Sequence, residues 1–183
     1  MGLDMYLTKK YYVKNWNHMD KKDIHKITIL KGGKPSVIPA DKVSNIECEI
    51  MYWRKANAIH KWFVDNVQEG NDDCGNYYVS REKIAELLSI CKTVLEKSKL
   101  ETGKVYNGET WDKDGHRVNY INGKVVTNSH VAQEYLPTTS GFFFGNTDYD
   151  EYYIQNIKDT VKALTEALKN SDDKGEFYYS SSW

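Results

Sequence analysis

The sequence predicts an α+β fold: a mainly antiparallel sheet of short strands packed with three amphipathic helices, plus a projecting hairpin. Three observations carry that expectation. Apolar residues recur at helical spacing in three separate stretches, over 49–68, 80–99 and 151–168. Short alternating or β-prone runs occupy the two ends of the chain and the region around 24–38. Gly32-Gly33 and Asn122-Gly123 lie between such runs, where two-residue hairpin turns require positive φ. With 183 residues, one domain spanning 1–183 is expected, burying roughly 70% of its unfolded surface.

Taken in order, Leu3, Met5 and Leu7 alternate with Asp4, Tyr6 and Thr8, the pattern of a half-buried strand. Residues 15–22 are polar and read as a loop. Ile24, Ile27, Ile29 and Leu30 then precede Gly32-Gly33, with 36–38 as the return strand. Pro35 and Pro39 bracket that strand and suit an edge position. The stretch 49–68 reads as one long helix around which the chain is organised. Tyr52, Ala56, Ile59, Phe63 and Val67 form one face, and Trp53, Asn57, His60 and Val64 a second.

Ser80 is placed to cap a second helix with Ile84, Leu87, Leu88, Cys91 and Leu95 on one stripe and Glu82 in the first turn. Residues 103–130 are polar and glycine-spaced and read as an excursion, with 117–121 pairing 124–128 around Asn122-Gly123. Asp150 is placed to cap the third helix, whose buried stripe is Ile154, Ile157, Val161, Leu164 and Leu168. Residues 176–179 return as a last strand.

Composition narrows the function classes. Lys and Arg number 25 against 26 Asp and Glu, a net charge of −1, which argues against a partner that is a nucleic-acid polymer. No apolar run approaches ~18 residues, so no membrane partner is expected, and a cytoplasmic protein of a bacterial cell is. Cys48, Cys74 and Cys91 lack zinc-ligand spacing and read as reduced thiols, Cys91 in the core. No cofactor motif is present, and no cofactor is expected. The aromatic content of 14 Tyr, 5 Trp and 5 Phe suits a core rich in rings, with a stacking site as the rival reading. Self-association into a homo-oligomer is compatible with the sequence.

Three blocks together, MGLDMYL at 1–7, YWRKANAIHKWFV at 52–64 and LPTTSGFFFGNTDYDEYY at 136–153, resemble a family of small bacterial and prophage-encoded proteins that begin MGLDMYL. The likeness runs in that order from residue 1 to 168 and on to the terminal SSSW, and the 103–130 excursion is longer than usual there. The resemblance implies a soluble accessory protein of phage or prophage type, with no assigned catalytic residues. Accessory proteins of this kind often act on host defence or metabolism, including by sequestering nucleotide signals.

The residues themselves point to a pocket. A mostly covered helix carrying Arg54, Asn57, His60 and Lys61 has to satisfy those groups, because an unpaired buried polar group costs roughly 1–3 kcal/mol. Guanidinium and ammonium groups suit phosphate or carboxylate, Asn57 and His60 suit hydroxyls or base edges, and Trp53 suits stacking. The plain alternative pairs Arg54 and Lys61 with Asp65 and Glu49 and bonds His60 internally. Thr138 and Ser140 place hydroxyls beside Gly141, and Phe142, Phe143 and Phe144 read as core, on a strand over 140–145. Asp148 and Asp150 are better explained as an ion-pair partner for Arg54 or Lys55 and a helix cap than as metal ligands, and no metal is expected.

Three functions follow as expectations. The first is binding, or sequestration, of a small anionic, nucleotide-like ligand by Trp53, Arg54, Asn57, His60, Lys61, Thr138, Ser140 and Asp148. The second is a phosphodiesterase or nucleotide hydrolase on the same pocket, with His60 as acid/base and Asp148 assisting. The third is a protein–protein inhibitor of a host factor that docks through the hairpin and exposed aromatics.

Overall fold

Leu3, Met5 and Leu7 are fully buried and the residues between them half-buried, as their alternation requires. A computed structural model describes residues 2–113, 115–171 and 173–183. In chain order its elements are β1 (Asp4–Tyr12), β2 (Leu30–Lys31), β3 (Lys34–Pro35), β4 (Asn45–Arg54), α1 (Asn57–Asn66), β5 (Asn76–Val79), α2 (Arg81–Lys97), β6 (Leu100–Asp112), β7 (Gly115–Val126), α3 (His130–Tyr135), α4 (Glu151–Leu168) and β8 (Glu176–Ser182). The class is α+β.

The main sheet has the order β4-β1-β8-β5, antiparallel throughout. One face carries Met5, Leu7, Trp53, Phe177 and Tyr179 into the core beneath the helices. The other carries Tyr6, Tyr52, Tyr78 and Tyr178, whose rings pair as Tyr6–Tyr52 and Tyr78–Tyr178. The aromatic surplus therefore divides between a packed interior and a tyrosine-lined outer face.

Helices α2 and α4 form as their stripes require. Ser80 Oγ accepts from the Lys83 N–H, and Asp150 accepts from the N–H groups of Tyr152 and Tyr153, so both caps are in place. Ile84, Leu87, Cys91, Ile157 and Leu164 are buried, with Leu95, Val161 and Leu168 packed at the margin. Arg81 donates to the carbonyl oxygens of Leu168 and Asn170 at 2.6 and 2.9 Å, closing the C-terminal end of α4.

Four expectations are corrected. The single helix over 49–68 is two elements: residues up to Arg54 form β4, and α1 begins at Asn57. Helical spacing in Tyr52–Ala56 loses to a ladder along β1 from Asp4↔Arg54 to Tyr12↔Asn45, and Lys55 breaks the chain at φ 56°. The long hairpin turns between Asp112 and Gly115, not at Asn122-Gly123. Those two residues sit mid-strand, Gly123 opposite Gly103, each glycine overlain by a valine of the other strand (Val125 on Gly103, Val105 on Gly123). The first small hairpin does turn at Gly32-Gly33, but its return strand is Lys34–Pro35, not residues 36–38. Residues 140–145 form a loop, in which Phe144 alone of the three phenylalanines is buried. Phe143 takes φ 66°, which a strand cannot accommodate.

Candidate functional site

The break at Lys55 organises a convergence of three segments. Lys55 N–H donates to the Leu3 carbonyl at 2.8 Å, and Leu3 N–H donates to the Phe143 carbonyl. Gly145 has φ 89°, and a side chain there would press on Lys55. Buried Asn57 locks the loop from the first turn of α1. Its Nδ2 donates to the carbonyl oxygens of Phe144 and Asn146 at 3.2 and 2.7 Å, and its Oδ1 accepts from the Thr139 N–H. The β4–α1 junction and the 138–150 loop thus meet, as the need to satisfy Asn57 anticipates.

Between them lies a cavity of about 300 Å³. Arg54, Lys55 and Asn57 line it from the junction, Thr138, Asn146 and Asp148 from the loop, and Asp150, Tyr152 and Asn156 from the start of α4. Arg54 and Lys55 make no ion pair among the described residues, although Asp148 lines the same cavity. The first turn of α1 also borders it, through Ala58 and Ile59, and Ala56 offers no side-chain acceptor to the N–H groups there. Asp150 is 1% exposed and held by the α4 N–H groups, whereas Asp148 is exposed and its carboxylate accepts no hydrogen bond among the described residues, its charge being felt by Tyr106.

Of the sequence-predicted site residues, Arg54, Asn57, Thr138 and Asp148 are brought together here. Four are not. Trp53 is 2% exposed, its indole N–H on Thr160 Oγ1 at 2.8 Å and its ring against Phe63, so it presents no stacking face. Lys61 pairs with Asp65 at 2.7 Å, the i,i+4 partner. Ser140 is exposed and outside the lining. His60 is 1% exposed and bonded on both sides, Nδ1 to the Tyr179 hydroxyl at 2.7 Å and Nε2 to Asp72 at 3.0 Å.

The His60 arrangement has the parts of a proton relay whose histidine and tyrosine are buried, Asp72 alone of the three reaching solvent. The roles of the two ring nitrogens follow the tautomer: with the proton on Nε2, toward Asp72, Nδ1 accepts from the Tyr179 hydroxyl. Burial first, and the Asp72 charge second, hold the Tyr179 hydroxyl well above its usual pKa. Tyr179 is fully buried, stacked on Phe63 at 3.9 Å, and Phe144 covers the imidazole edge-on. The cluster pins β8, α1 and the 68–75 loop. It does not line the cavity that holds Asp148, so the acid/base pair His60 and Asp148 is not assembled.

The chain matches no family model, curated protein or solved structure. The site therefore stands on its own chemistry. Sequence reasoning missed the aromatic and amide walls: Tyr152, 69% exposed at the rim, and Asn146 and Asn156. Lys55 was anticipated only as an ion-pair partner. The signal for Tyr152 was its place two residues after the Asp150 cap, which turns it toward whatever the α4 N-terminus faces. No group of three or more His, Cys, Asp or Glu among the described residues is arranged to hold a metal ion. No helix among them is long and apolar enough to cross a membrane.

Proposed function

We infer that this chain is a binding protein of phage or prophage accessory type, which sequesters a small anionic, nucleotide-like ligand and so counters host defence signalling. The observation that carries the reading is the pair Arg54 and Lys55, two adjacent cations on the wall of one cavity that make no ion pair among the described residues. Two unpaired cations in a concave site favour an anion, and Arg adds a planar fork suited to phosphate. The first turn of α1 adds weakly positive N–H groups on the same wall. Binding is preferred over turnover because the expected acid/base pair of His60 and Asp148 is not assembled, His60 lying outside the cavity lining.

The test is to incubate the purified protein with a cytoplasmic nucleotide extract, wash, denature and identify the released compounds by mass spectrometry. Intact recovery of a phosphorylated compound supports sequestration. Recovery of a conversion product would replace it with a hydrolase. No uptake would shift weight to the inhibitor reading, which one observation favours: Trp111, Tyr120 and Ile121 are 76%, 57% and 49% exposed on the β6–β7 arm.

A further inference from the structure

Resting on that reading of the cavity as an anion site, we propose that its ligand is a ribonucleoside monophosphate, selected against deoxyribose and against polyphosphates by Asp148.

Arg54 and Lys55 stand on one wall, and Asp148 stands on the facing loop as an exposed carboxylate. An ionised carboxylate only accepts hydrogen bonds, and its two oxygens suit the adjacent hydroxyls of a cis-diol. The same charge repels any phosphate beyond the one held by the cations. A site built for a polyanion would place a cation or a neutral donor there instead. Asp150 adds a second negative charge, but its Oδ1 accepts from the Tyr152 and Tyr153 N–H groups and its Oδ2 from the Asn146 amide at 3.5 Å. The free acceptor is Asp148.

Size and shape agree. A cavity of about 300 Å³ lies at the lower end of the ~300–1,000 Å³ range of small-molecule pockets, which suits one nucleotide and not two. The Tyr152 ring at the rim offers a flat surface for a base, and the amides of Asn146 and Asn156 line the same cavity. Phosphate on Arg54 and Lys55, ribose on Asp148 and base on Tyr152 place each part of the ligand against the chemistry that recognises it.

The test is calorimetric titration of the full chain with adenosine 5′-monophosphate, its 2′-deoxy analogue, adenosine 5′-triphosphate and inorganic phosphate, repeated with Asp148→Asn. Because Asp148 is exposed and its side chain makes no hydrogen bond among the described residues, the variant keeps the fold, which its melting temperature verifies. The wild-type chain is expected to prefer the monophosphate over the 2′-deoxy compound and the triphosphate by about tenfold or more, the worth of a charged hydrogen bond. Asp148→Asn is expected to shrink both preferences. Monophosphate binding without those preferences, or preferences that survive in the variant, overturns this inference and leaves the anion site intact. Inorganic phosphate binding as tightly as the monophosphate overturns the nucleoside part in the same way. No binding of any of the four overturns the anion site itself.

Discussion

Arg54 lies directly opposite Asp4 in the β1–β4 register, yet the Asp4 carboxylate accepts its hydrogen bond from the Tyr52 hydroxyl. The nearest cross-strand carboxylate is thereby taken by a tyrosine two residues earlier on the same strand. The guanidinium instead borders the cavity, beside Lys55, whose backbone turns away at positive φ. A sheet position that would ordinarily yield a weak surface pair, worth ~0–1 kcal/mol, is left with an available cation.

Asn57 should be the residue on which the shape of the site depends. Asn57→Ala removes two donors and an acceptor from the loop and leaves backbone groups near Phe144 and Asn146 without partners. The expected loss is about 2–4 kcal/mol of stability, seen as a fall of roughly 5–15 °C in thermal denaturation, together with weakened ligand uptake. A variant that melts like the wild type would show that the loop is held by other contacts.

The ion pair of buried Lys9 with half-buried Asp173, at 2.6 Å, should shape the acid limb of the stability profile. Burial pushes the Asp173 carboxyl up, but the Lys9 ammonium and the donors on Gly175 and Tyr11 outweigh it and hold it below the usual aspartate range. A carboxyl depressed by folding contributes stability above its unfolded value and loses it as pH falls through the folded one. Asp173→Asn leaves Lys9, 1% exposed, without its counter-charge. The variant is expected to be about 3–5 kcal/mol less stable at pH 7, with the difference shrinking below about pH 4 in denaturant titrations. A difference independent of pH would mean that the pair does not act through charge.

The three thiols should separate into two classes. Cys48 and Cys74 are exposed, whereas burial pushes the Cys91 thiol up to about 12. With a disulfide reagent at pH 8, Cys48 and Cys74 are expected to react promptly and Cys91 only on unfolding. Prompt reaction of Cys91 would contradict its place in the core, on the face of α2 that packs toward Tyr153 of α4.

How much of this was legible in the sequence depends on how local the cause was. The strand at 4–12, the Ser80 and Asp150 caps and the stripes of α2 and α4 rest on periodicity and capping chemistry, which neighbours in sequence determine. The stretch around 52–56 misled because its apolar spacing fits a helix while its residues, Tyr52 and Trp53 among them, also suit a ladder. The partner that decides between the two is β1, some fifty residues away. Asn122-Gly123 misled for a related reason: the ribbon needed glycines opposite one another to seat Val105 and Val125, and turned elsewhere. In the site, Asn57 was legible because a buried amide demands partners, which the 138–150 loop supplies, whereas Arg54 and Asp148 reach the cavity as exposed side chains and not as groups on a covered helix. Trp53 and His60 were legible as buried, but not their partners Thr160 and Tyr179, which arrive from α4 and β8.

The β6–β7 arm should contribute little to the stability of the body. Trp111, stacked on His116 near the tip, is 76% exposed. Trp111→Ser is expected to change stability by no more than about 0.5 kcal/mol in chemical denaturation. A larger loss would place the arm tip against the body of the protein.

The account's central claim, that Arg54 and Lys55 hold an anion, is tested most directly by comparing wild type and Arg54→Ala in uptake from a nucleotide extract, per folded molecule and with melting temperatures measured in parallel. Loss of a charged hydrogen bond from an exposed side chain should weaken uptake about tenfold to a hundredfold while leaving the melting temperature nearly unchanged. Uptake equal to wild type in Arg54→Ala, or a lowered melting temperature with unchanged uptake per folded molecule, would contradict the claim and make Arg54 a structural residue.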